Sequence, residues 1–182
     1  AVGAATRPLL NFDGLKLRAV VPVNLRPLDD LDRLGNRFGL VFLPLPVGES
    51  DPLARLATVR RRMNRIKRSP EAFVTFGLLR LIGHTYPGVV SWAINLFGTK
   101  ATAVLTNVPG PREALFLAGK SVDGLMVWVP QSGHLGLGVS ILSYRGGVRI
   151  GIASDAALLP DPEAVVEAYA QAVDELCVAA GI

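Results

Sequence analysis

The sequence predicts an α/β fold, because strand-like and helix-like segments alternate along its 182 residues. Residues 15–24 and 40–45 are short apolar runs typical of strands. Residues 52–68 and 161–177 instead place apolar side chains at spacings of three and four, as amphipathic helices do. Half of the residues are apolar and 19% are charged, which is the composition of a globular chain that buries a core. We expect a single domain over residues 1–182.

The first third of the chain predicts two strands joined by a polar loop. Residues 1–10 resemble the end of a helix, and residues 15–24 alternate before becoming apolar, which is typical of a strand near a sheet edge or a crossover. An acidic loop at residues 28–32 follows. Residues 40–45 form the second strand, which ends among prolines. Asn36, just before this strand, either lines a cleft or caps a turn.

A basic helix follows, and it opens with the acidic cap Asp51 and with Pro52 in its first turn. One apolar stripe is predicted from Leu53, Leu56, Val59, Met63 and Ile66. Seven cations are predicted on the opposite side: Arg55, Arg60, Arg61, Arg62, Arg65, Lys67 and Arg68. No acidic residue lies among them, so they form either a solvated face or a surface for phosphate groups of a ligand or a bilayer.

Residues 70–99 are the most apolar part of the sequence, with no fixed charge between Arg80 and Lys100. Glycine and proline at residues 83–88 interrupt this run, so two buried or interfacial helices are predicted instead of one membrane-spanning helix. These two helices either pack in the core or wall a tunnel for an apolar chain.

The stretch A-T-A-V-L-T-N-V-P-G-P-R, residues 101–112, joins a β-branched strand to a rigid turn. Pro109 and Pro111 fix φ and lack an N–H group, while Gly110 between them permits a positive φ. We therefore expect the strand to end at this turn, after Val108, with Thr106 and Asn107 as polar groups at its carboxyl end. The stretch is either a plain strand-ending turn or part of a ligand site.

The last third predicts strands at residues 122–129, 135–144 and 148–152. The final two strands are joined by a tight turn at Arg145-Gly146, and a last helix begins at the acidic cap Asp161. Gln131, in the loop after the first of these strands, and Ser143, near the end of the second, are further polar candidates.

Several common chemistries find no support in the sequence. Cys177, the one cysteine, excludes a disulfide framework and is predicted to be a small core residue of the last helix. The two histidines, His84 and His134, are too few and too distant to indicate a metal site. The sequence has no P-loop, G-x-G-x-x-G, H-E-x-x-H or G-x-S-x-G motif, and its net charge of +4 does not indicate nucleic acid. We expect no metal, no cofactor and no nucleic-acid partner.

Four sequence blocks carry a family resemblance. They are P-V-N-L-R at 22–26, L-G-N-R-F-G at 34–39, T-N-V-P-G-P at 106–111 followed by Gly119-Lys120, and L-S-Y at 142–144 followed by Asp155 and P-D at 160–161. In this order they resemble the P-V-S/N-x-R, L-G-N-x-F, S/T-N-V-P-G-P and L-S-Y-x-G…D…P-D blocks of the bacterial wax ester synthase/acyl-CoA:diacylglycerol acyltransferases. One block alone would be weak evidence, but four in the same order are specific.

This resemblance implies a fold and a partner. The chain resembles the second of two lobes, each a two-layer sandwich of a mixed β-sheet and flanking helices like that of chloramphenicol acetyltransferase. In the family, the catalytic base is a histidine of an H-H-x-x-x-D-G motif in the first lobe, and this motif is absent from the present sequence. The chain is therefore expected to be inactive alone and to need the H-H-x-x-x-D-G lobe as its partner.

The resemblance also implies a reaction, the transfer of a fatty acyl group from acyl-CoA to diacylglycerol or a long-chain alcohol. Acyl-CoA is here a substrate and not a cofactor, and the cationic helix is a candidate for its phosphates. The implied location is the cytoplasm, with peripheral contact to the inner membrane or to lipid droplets. The expected substrate-binding residues are Asn36, Arg37, Thr106, Asn107, Gly110, Gln131 and Ser143. The alternatives are an enzyme that esterifies polyketide or sugar hydroxyls and a non-catalytic module that binds a lipid or a partner.

Overall fold

The computed structural model describes residues 17–26, 37–131 and 135–182. The strands are β1 (Arg18–Asn24), β2 (Phe38–Pro44), β3 (Ala103–Pro109), β4 (Phe116–Leu117), β5 (Lys120–Ser121), β6 (Leu137–Tyr144) and β7 (Gly147–Ser154). The helices are α1 (Pro52–Lys67), α2 (Glu71–Ile82), α3 (Pro87–Gly98) and α4 (Pro162–Ala180). The predicted α/β class is confirmed. The predictions for residues 1–10, the acidic loop at 28–32 and Asn36 lie outside the described residues.

The main sheet is mixed, with the strand order β2-β1-β3-β6-β7. β3 lies at its centre and is parallel to both β1 and β6, whereas β1–β2 and β6–β7 are antiparallel pairs. The predicted turn between β6 and β7 is confirmed. Arg145 and Gly146 have φ values of 50° and 80°, and two successive positive φ angles are what a type I′ hairpin requires.

Two helices cover one face of the sheet. α1 packs on β2, α4 packs on β7, and the two helices pack on each other. Asp51 caps α1 as predicted, because its carboxylate accepts hydrogen bonds from the amides of Leu53 and Ala54. Asp161 caps α4 in the same way through the amide of Ala164. Val41 and Leu43 of β2 are fully buried in the resulting core.

The predicted apolar stripe of α1 is wrong at its first two positions. Leu53 and Leu56 are 43% and 50% exposed, while Val59, Met63 and Ile66 are half-buried. Two cations predicted on the opposite side lie instead on the inward side and bind carbonyl groups. Arg62 donates to Pro44 O at 2.7 Å, and Arg55 donates to Glu49 O at 3.4 Å. The observed inward face of α1 differs from the predicted apolar stripe because the aliphatic parts of the Arg55 and Arg62 side chains pack inward while their guanidinium groups remain hydrogen-bonded.

β3 ends at Pro109, at the proline turn where its end is predicted. Val108 and Pro109 still pair with Leu142 and Ser143 of β6. On the other side, β3 pairs with β1 only as far as Val104. Pro109 therefore lies where β3 has one paired neighbour, and its missing N–H group interrupts no second ladder.

The prediction of a strand at residues 122–129 is wrong. This segment pairs with no strand and instead crosses one face of the sheet. Its backbone is held by a side chain of β6. Ser140 is 1% exposed, and its hydroxyl is hydrogen-bonded to Val127 O and lies 3.2 Å from Gly151 O. A Cβ atom at Gly151 would stand 2.5 Å from Val127 O, so glycine is what lets the segment approach β7.

α2 closes the free edge of β2 with two side chains. The backbone amide of Leu40 donates to Thr75 Oγ1 at 3.0 Å, and the amide of Phe42 donates to Glu71 Oε1 at 3.0 Å. The Thr75 hydroxyl in turn donates to Leu40 O at 2.8 Å. An edge strand normally presents unpaired backbone groups that invite aggregation, and here a helix satisfies them.

Removing this edge closure is expected to destabilise the fold. Thr75→Val should lower the free energy of unfolding by about 1–2 kcal/mol, because it leaves two backbone groups of Leu40 without their hydrogen-bond partner. Thr75→Ser is the matched control, since it keeps the hydroxyl. Urea denaturation followed by circular dichroism measures both variants. Equal midpoints for the serine and valine variants would contradict the assignment.

Candidate functional site

The centre of the sheet opens where two parallel strands separate. β1 and β3 pair through Ala19–Ala103 and Val20–Val104. Beyond these pairs β1 continues with β2 as far as Asn24, and β3 continues with β6 as far as Pro109. The opening therefore lies towards the carboxyl ends of β1 and β3, which is where open α/β sheets bind ligands.

An apolar cavity of about 600 Å³ lies at this opening. Its floor is the sheet, one wall is α2 and α3, and the other wall is the crossing segment at residues 127–130. The lining side chains of the sheet are Val20, Pro22, Phe38, Leu40, Val104, Thr106 and Val108. The walls add Leu79, Ile82, Val90, Ala93, Val127, Trp128, Val129, Pro130 and Leu135, together with Gly83 and Gly98. Its volume and lining suit a small apolar ligand or an alkyl chain.

Thr106 and Asn107 do not act on the same side of the sheet. Thr106 is half-buried and lines the cavity, where it is the one polar side chain among the described lining residues apart from the Trp128 indole. Asn107 is exposed and is not part of the lining, because successive residues of a strand point to opposite faces. Asn107 thus offers a free amide at the end of β3, facing away from the cavity.

The turn after β3 is anchored on the β6–β7 hairpin. The Gly110 amide donates to Ser143 Oγ at 3.3 Å, and the Arg145 amide donates to Pro111 O at 3.2 Å. Ser143 is therefore a brace of the turn. Gly110 does not use the positive φ that glycine permits, since its φ lies outside that region. Glycine is needed because a Cβ atom at residue 110 would overlap the carbonyl oxygen of Ser143.

Tyr144 is a bracing residue that the sequence reasoning missed. Its hydroxyl donates to Val122 O at 2.8 Å and accepts a hydrogen bond from the Leu115 amide at 2.9 Å. These bonds hold the β4–β5 hairpin, which was also not predicted and which turns through Ala118 and Gly119 at positive φ. The sequence did contain a signal for this role. Tyr144 directly follows Ser143 in the L-S-Y block, and the alternation of a strand places the Ser143 and Tyr144 side chains on opposite faces of the sheet.

Gln131 does not join the residues at the carboxyl end of β3. Its amide nitrogen donates to Ala153 O at 2.8 Å and packs beside Gly138, near the start of β6. Ser143 lies five positions after Gly138 along β6, which corresponds to roughly 16 Å of strand. Gln131 is thus placed as a support for the end of the crossing segment.

Arg37 lies at the same end of the sheet as the opening. It is exposed, directly precedes β2, and its carbonyl accepts a hydrogen bond from the Leu25 amide at 3.0 Å just after β1. The structure therefore gathers Arg37, Thr106, Asn107, Gly110 and Ser143 at the carboxyl ends of β1, β3 and β6. Asn36 lies outside the described residues.

The residues gathered here can hold and orient an apolar molecule, but they supply no base for a proton transfer. Within the described ranges, no group of three histidine, cysteine, aspartate or glutamate side chains is placed to hold a metal ion. Over the same ranges, no helix has both the length and the hydropathy needed to cross a membrane. Cys177 is half-buried in α4, away from the cavity lining.

Comparisons with known proteins agree on one family. The family model described as WS/DGAT C-terminal domain matches residues 34–177. A Mycobacterium tuberculosis protein named as a probable diacylglycerol O-acyltransferase is 31% identical over 169 residues, which cover 91% of this chain and 36% of that protein. Wax ester synthase/diacylglycerol acyltransferase 10 of Arabidopsis thaliana is 31% identical over 185 residues, which cover 89% of this chain and 36% of that protein. The chain thus spans about a third of the length of these relatives.

A solved structure shares the fold. The wax ester synthase/diacylglycerol acyltransferase from Marinobacter aquaeolei VT8 superposes with a TM-score of 0.63 at 21% identity, over 92% of this chain and 37% of that one. The predicted chloramphenicol-acetyltransferase-like lobe, with its mixed sheet and flanking helices, is confirmed. By its family model and its fold, this chain belongs to the family of WS/DGAT C-terminal domains.

Proposed function

We propose that this chain is the second lobe of an O-acyltransferase that moves a fatty acyl group from acyl-CoA to diacylglycerol or a long-chain alcohol. Acyl transfer is the activity for which the relatives of this family are named. Because the chain spans about a third of their length, its proposed partner is a first lobe that carries the H-H-x-x-x-D-G motif. The isolated chain is expected to be inactive.

The observation that carries this proposal is the apolar cavity beside the T-N-V-P-G-P turn. The cavity has room for an alkyl chain, and its lining offers an alkyl chain almost no competing polar group. It opens towards the carboxyl ends of β1 and β3, so a bound chain would place its polar end at that end of the sheet, with the Asn107 side chain on the opposite face of β3. We therefore assign the cavity to the hydrocarbon part of a substrate.

The chemistry divides between the two lobes. Transfer from a thioester to an alcohol needs a general base on the hydroxyl and hydrogen-bond donors for the oxyanion. The base is assigned to the first lobe, because the present sequence has no adjacent histidine pair. The present lobe is assigned the chain-binding wall, and the exposed Asn107 amide is its candidate donor at the boundary between the lobes.

Asn107→Ala tests this division in the protein that contains both lobes. The variant should lower kcat by about 100-fold, with a small change in KM, if the amide stabilises charge that develops in the transition state. Steady-state acyl transfer from a long-chain acyl-CoA measures the effect. Asn95→Ala, at another exposed asparagine of the same chain, is the control and should keep wild-type turnover. Wild-type kcat in a folded Asn107→Ala protein would overturn the assignment of Asn107.

A further inference from the structure

The outward sides of α1 and α4 carry opposite charges. These two helices cover the same face of the sheet and pack on each other. What we call the α1 outer face consists of the exposed residues Leu53, Leu56, Arg60, Arg61, Asn64 and Arg68. What we call the α4 outer face consists of the exposed residues Glu167, Gln171, Asp174, Glu175 and Val178, with Ile182 just beyond the helix.

The positive charge of the α1 outer face is not balanced by carboxylates nearby in the chain. From residue 52 to residue 112 the sequence has one acidic residue, Glu71, and its carboxylate accepts a hydrogen bond from the Phe42 amide at the sheet edge. Arg55 and Arg62, on the inward side of α1, are bound to backbone carbonyls. The positive field of the helix is therefore directed outward.

The α4 outer face carries only negative charge. From residue 150 to residue 182 the sequence has no lysine, arginine or histidine, so no cation on the same helix pairs with its carboxylates. The side of α4 that meets α1 includes Ala172 and Leu176. Asp174 lies two residues from each of them, which is roughly 200° around a helix, so its carboxylate points away from the seam.

The charges on the two outer faces have the same spacing. Arg61 and Arg68 are seven positions apart, and so are Glu167 and Asp174. Seven residues make about two helical turns, or roughly 10.5 Å of helix. When α1 of one copy lies antiparallel on α4 of a second copy, Arg61 can therefore meet Asp174 while Arg68 meets Glu167.

The same antiparallel register also pairs the neighbouring polar residues. It places Arg60 opposite Glu175, which adds a third pair of opposite charges, and it places Asn64 opposite Gln171. All four side chains are exposed in the single chain. Complementary charges along a contact fix its register and exclude pairings that bring like charges together.

The apolar ends of the two faces coincide in this register as well. Leu53 and Leu56 are 43% and 50% exposed at the start of α1, and Val178 and Ile182 are 79% and 89% exposed at the end of α4. The antiparallel register brings these two ends together. With the same charge spacing in a parallel register, Leu53 would lie beyond the start of α4, so the antiparallel direction is favoured.

We infer that two copies of this chain associate through the α1 outer face of one copy and the α4 outer face of the other, in antiparallel register. The 16 residues of α1 limit this contact to a length of about 24 Å. A single helix pair of that length is smaller than a standard stable interface, so the association should be reversible and sensitive to salt.

This association does not depend on the proposed acyl transfer, because it rests on the charge, exposure and spacing of two helices that do not line the apolar cavity. A protein that stays monomeric leaves the proposed reaction untouched. A failed activity assay likewise leaves the association untouched.

Sedimentation velocity of the purified protein at increasing concentration tests the inference. The average mass of the wild type should rise from that of one chain towards that of two, and should fall back as salt is added. Arg61→Glu/Arg68→Glu reverses the charge of α1, and Glu167→Lys/Asp174→Lys reverses that of α4. Each variant alone should raise the dissociation constant at least about tenfold, because like charges then face each other.

Mixing the two reversed variants is the decisive arm of this experiment. The reversed α1 of one variant meets the reversed α4 of the other, so the mixture should associate as the wild type does. Recovery in the mixture also shows that both variants are folded. The control Arg112→Glu/Lys120→Glu makes the same change in net charge at exposed sites on neither helix and should behave as the wild type does.

Three results would overturn the inference. The first is a wild type that remains monomeric at every concentration. The second is a control that dissociates as much as the α1 variant, because net charge alone would then explain the loss. The third is a mixture of the reversed variants that stays monomeric, or reversed variants that each still associate, because the copies would then be joined by another surface.

Discussion

Replacing Gly39 by alanine is expected to lower the free energy of unfolding by about 3 kcal/mol or more. Gly39 is buried in β2, and a Cβ atom there would overlap the backbone carbonyl of Ala72 in the first turn of α2. A flexible side chain could rotate away from such an overlap, but a backbone atom cannot. The whole helix must therefore move away from the edge of the sheet.

That movement would also break the edge closure. The bonds from Thr75 to Leu40 and from Glu71 to Phe42 depend on α2 lying directly against β2. For a chain of this size, the expected loss corresponds to a fall in Tm of roughly 6–12 °C. Thermal and urea denaturation followed by circular dichroism measure the change.

Gly77→Ala, in the helix α2 that Gly39 contacts, is the matched control. Residue 77 is in the interior of α2, and a Cβ atom there would meet no atom within 4 Å apart from its chain neighbours and the nearby helix backbone. Alanine should therefore stabilise the chain by about 0.5–1 kcal/mol, because it lowers the backbone entropy of the unfolded state. If Gly39→Ala and Gly77→Ala shift the midpoint in the same direction, the close approach of α2 to β2 is not what makes Gly39 necessary.

Gly39 also shows what the sequence alone could and could not tell. It stands in the L-G-N-R-F-G block that carried the family resemblance, yet nothing within the block says why glycine is needed. The reason is a backbone contact with Ala72, a residue more than thirty positions away. Gly110 repeats the lesson, since its two flanking prolines suggested a special φ and the actual cause is the carbonyl of Ser143.

Features fixed by short-range chemistry were predictable. Asp51 and Asp161 cap their helices through amides two or three residues on, and the Arg145-Gly146 turn follows from backbone sterics alone. The glycine and proline around Gly83 and Pro87 divide α2 from α3 as expected. Each of these outcomes depends on neighbours along the chain, so the sequence is sufficient.

Features that depend on distant packing were missed. The segment at residues 122–129 has a strand-like pattern, but Ser140 holds its backbone in place of a neighbouring strand. The periodicity of α1 is real, yet periodicity does not say that Leu53 and Leu56 stay exposed while Arg62 reaches Pro44. At the candidate site, Thr106 and Asn107 are adjacent in the sequence and were both predicted to bind the substrate. The alternation of a strand separates them, and this rule was available from the sequence.

Thr106→Phe is expected to slow the transfer of long acyl chains, or transfer to long alcohols, strongly in the protein that contains both lobes. Thr106 lies on the floor of the cavity, between Val104 and Val108 of the same face of β3. A phenyl ring there would occupy space that the proposal assigns to an alkyl chain. Ser140, its register neighbour on β6, is already buried under the crossing segment, so the ring has little room on that side.

The dependence on chain length separates blocking from general damage. A blocked cavity should lower kcat/KM for long-chain substrates by roughly 100-fold or more, since each methylene excluded from an apolar site forfeits about 0.8 kcal/mol, while short-chain substrates keep most of their rate. Thr106→Val is the matched control, because it keeps the shape of the side chain and removes only the hydroxyl. If the valine variant loses all activity, the hydroxyl of Thr106 takes part in the chemistry. If the phenylalanine variant processes long and short chains alike at the wild-type rate, the alkyl chain binds elsewhere, and the cavity loses the role assigned to it.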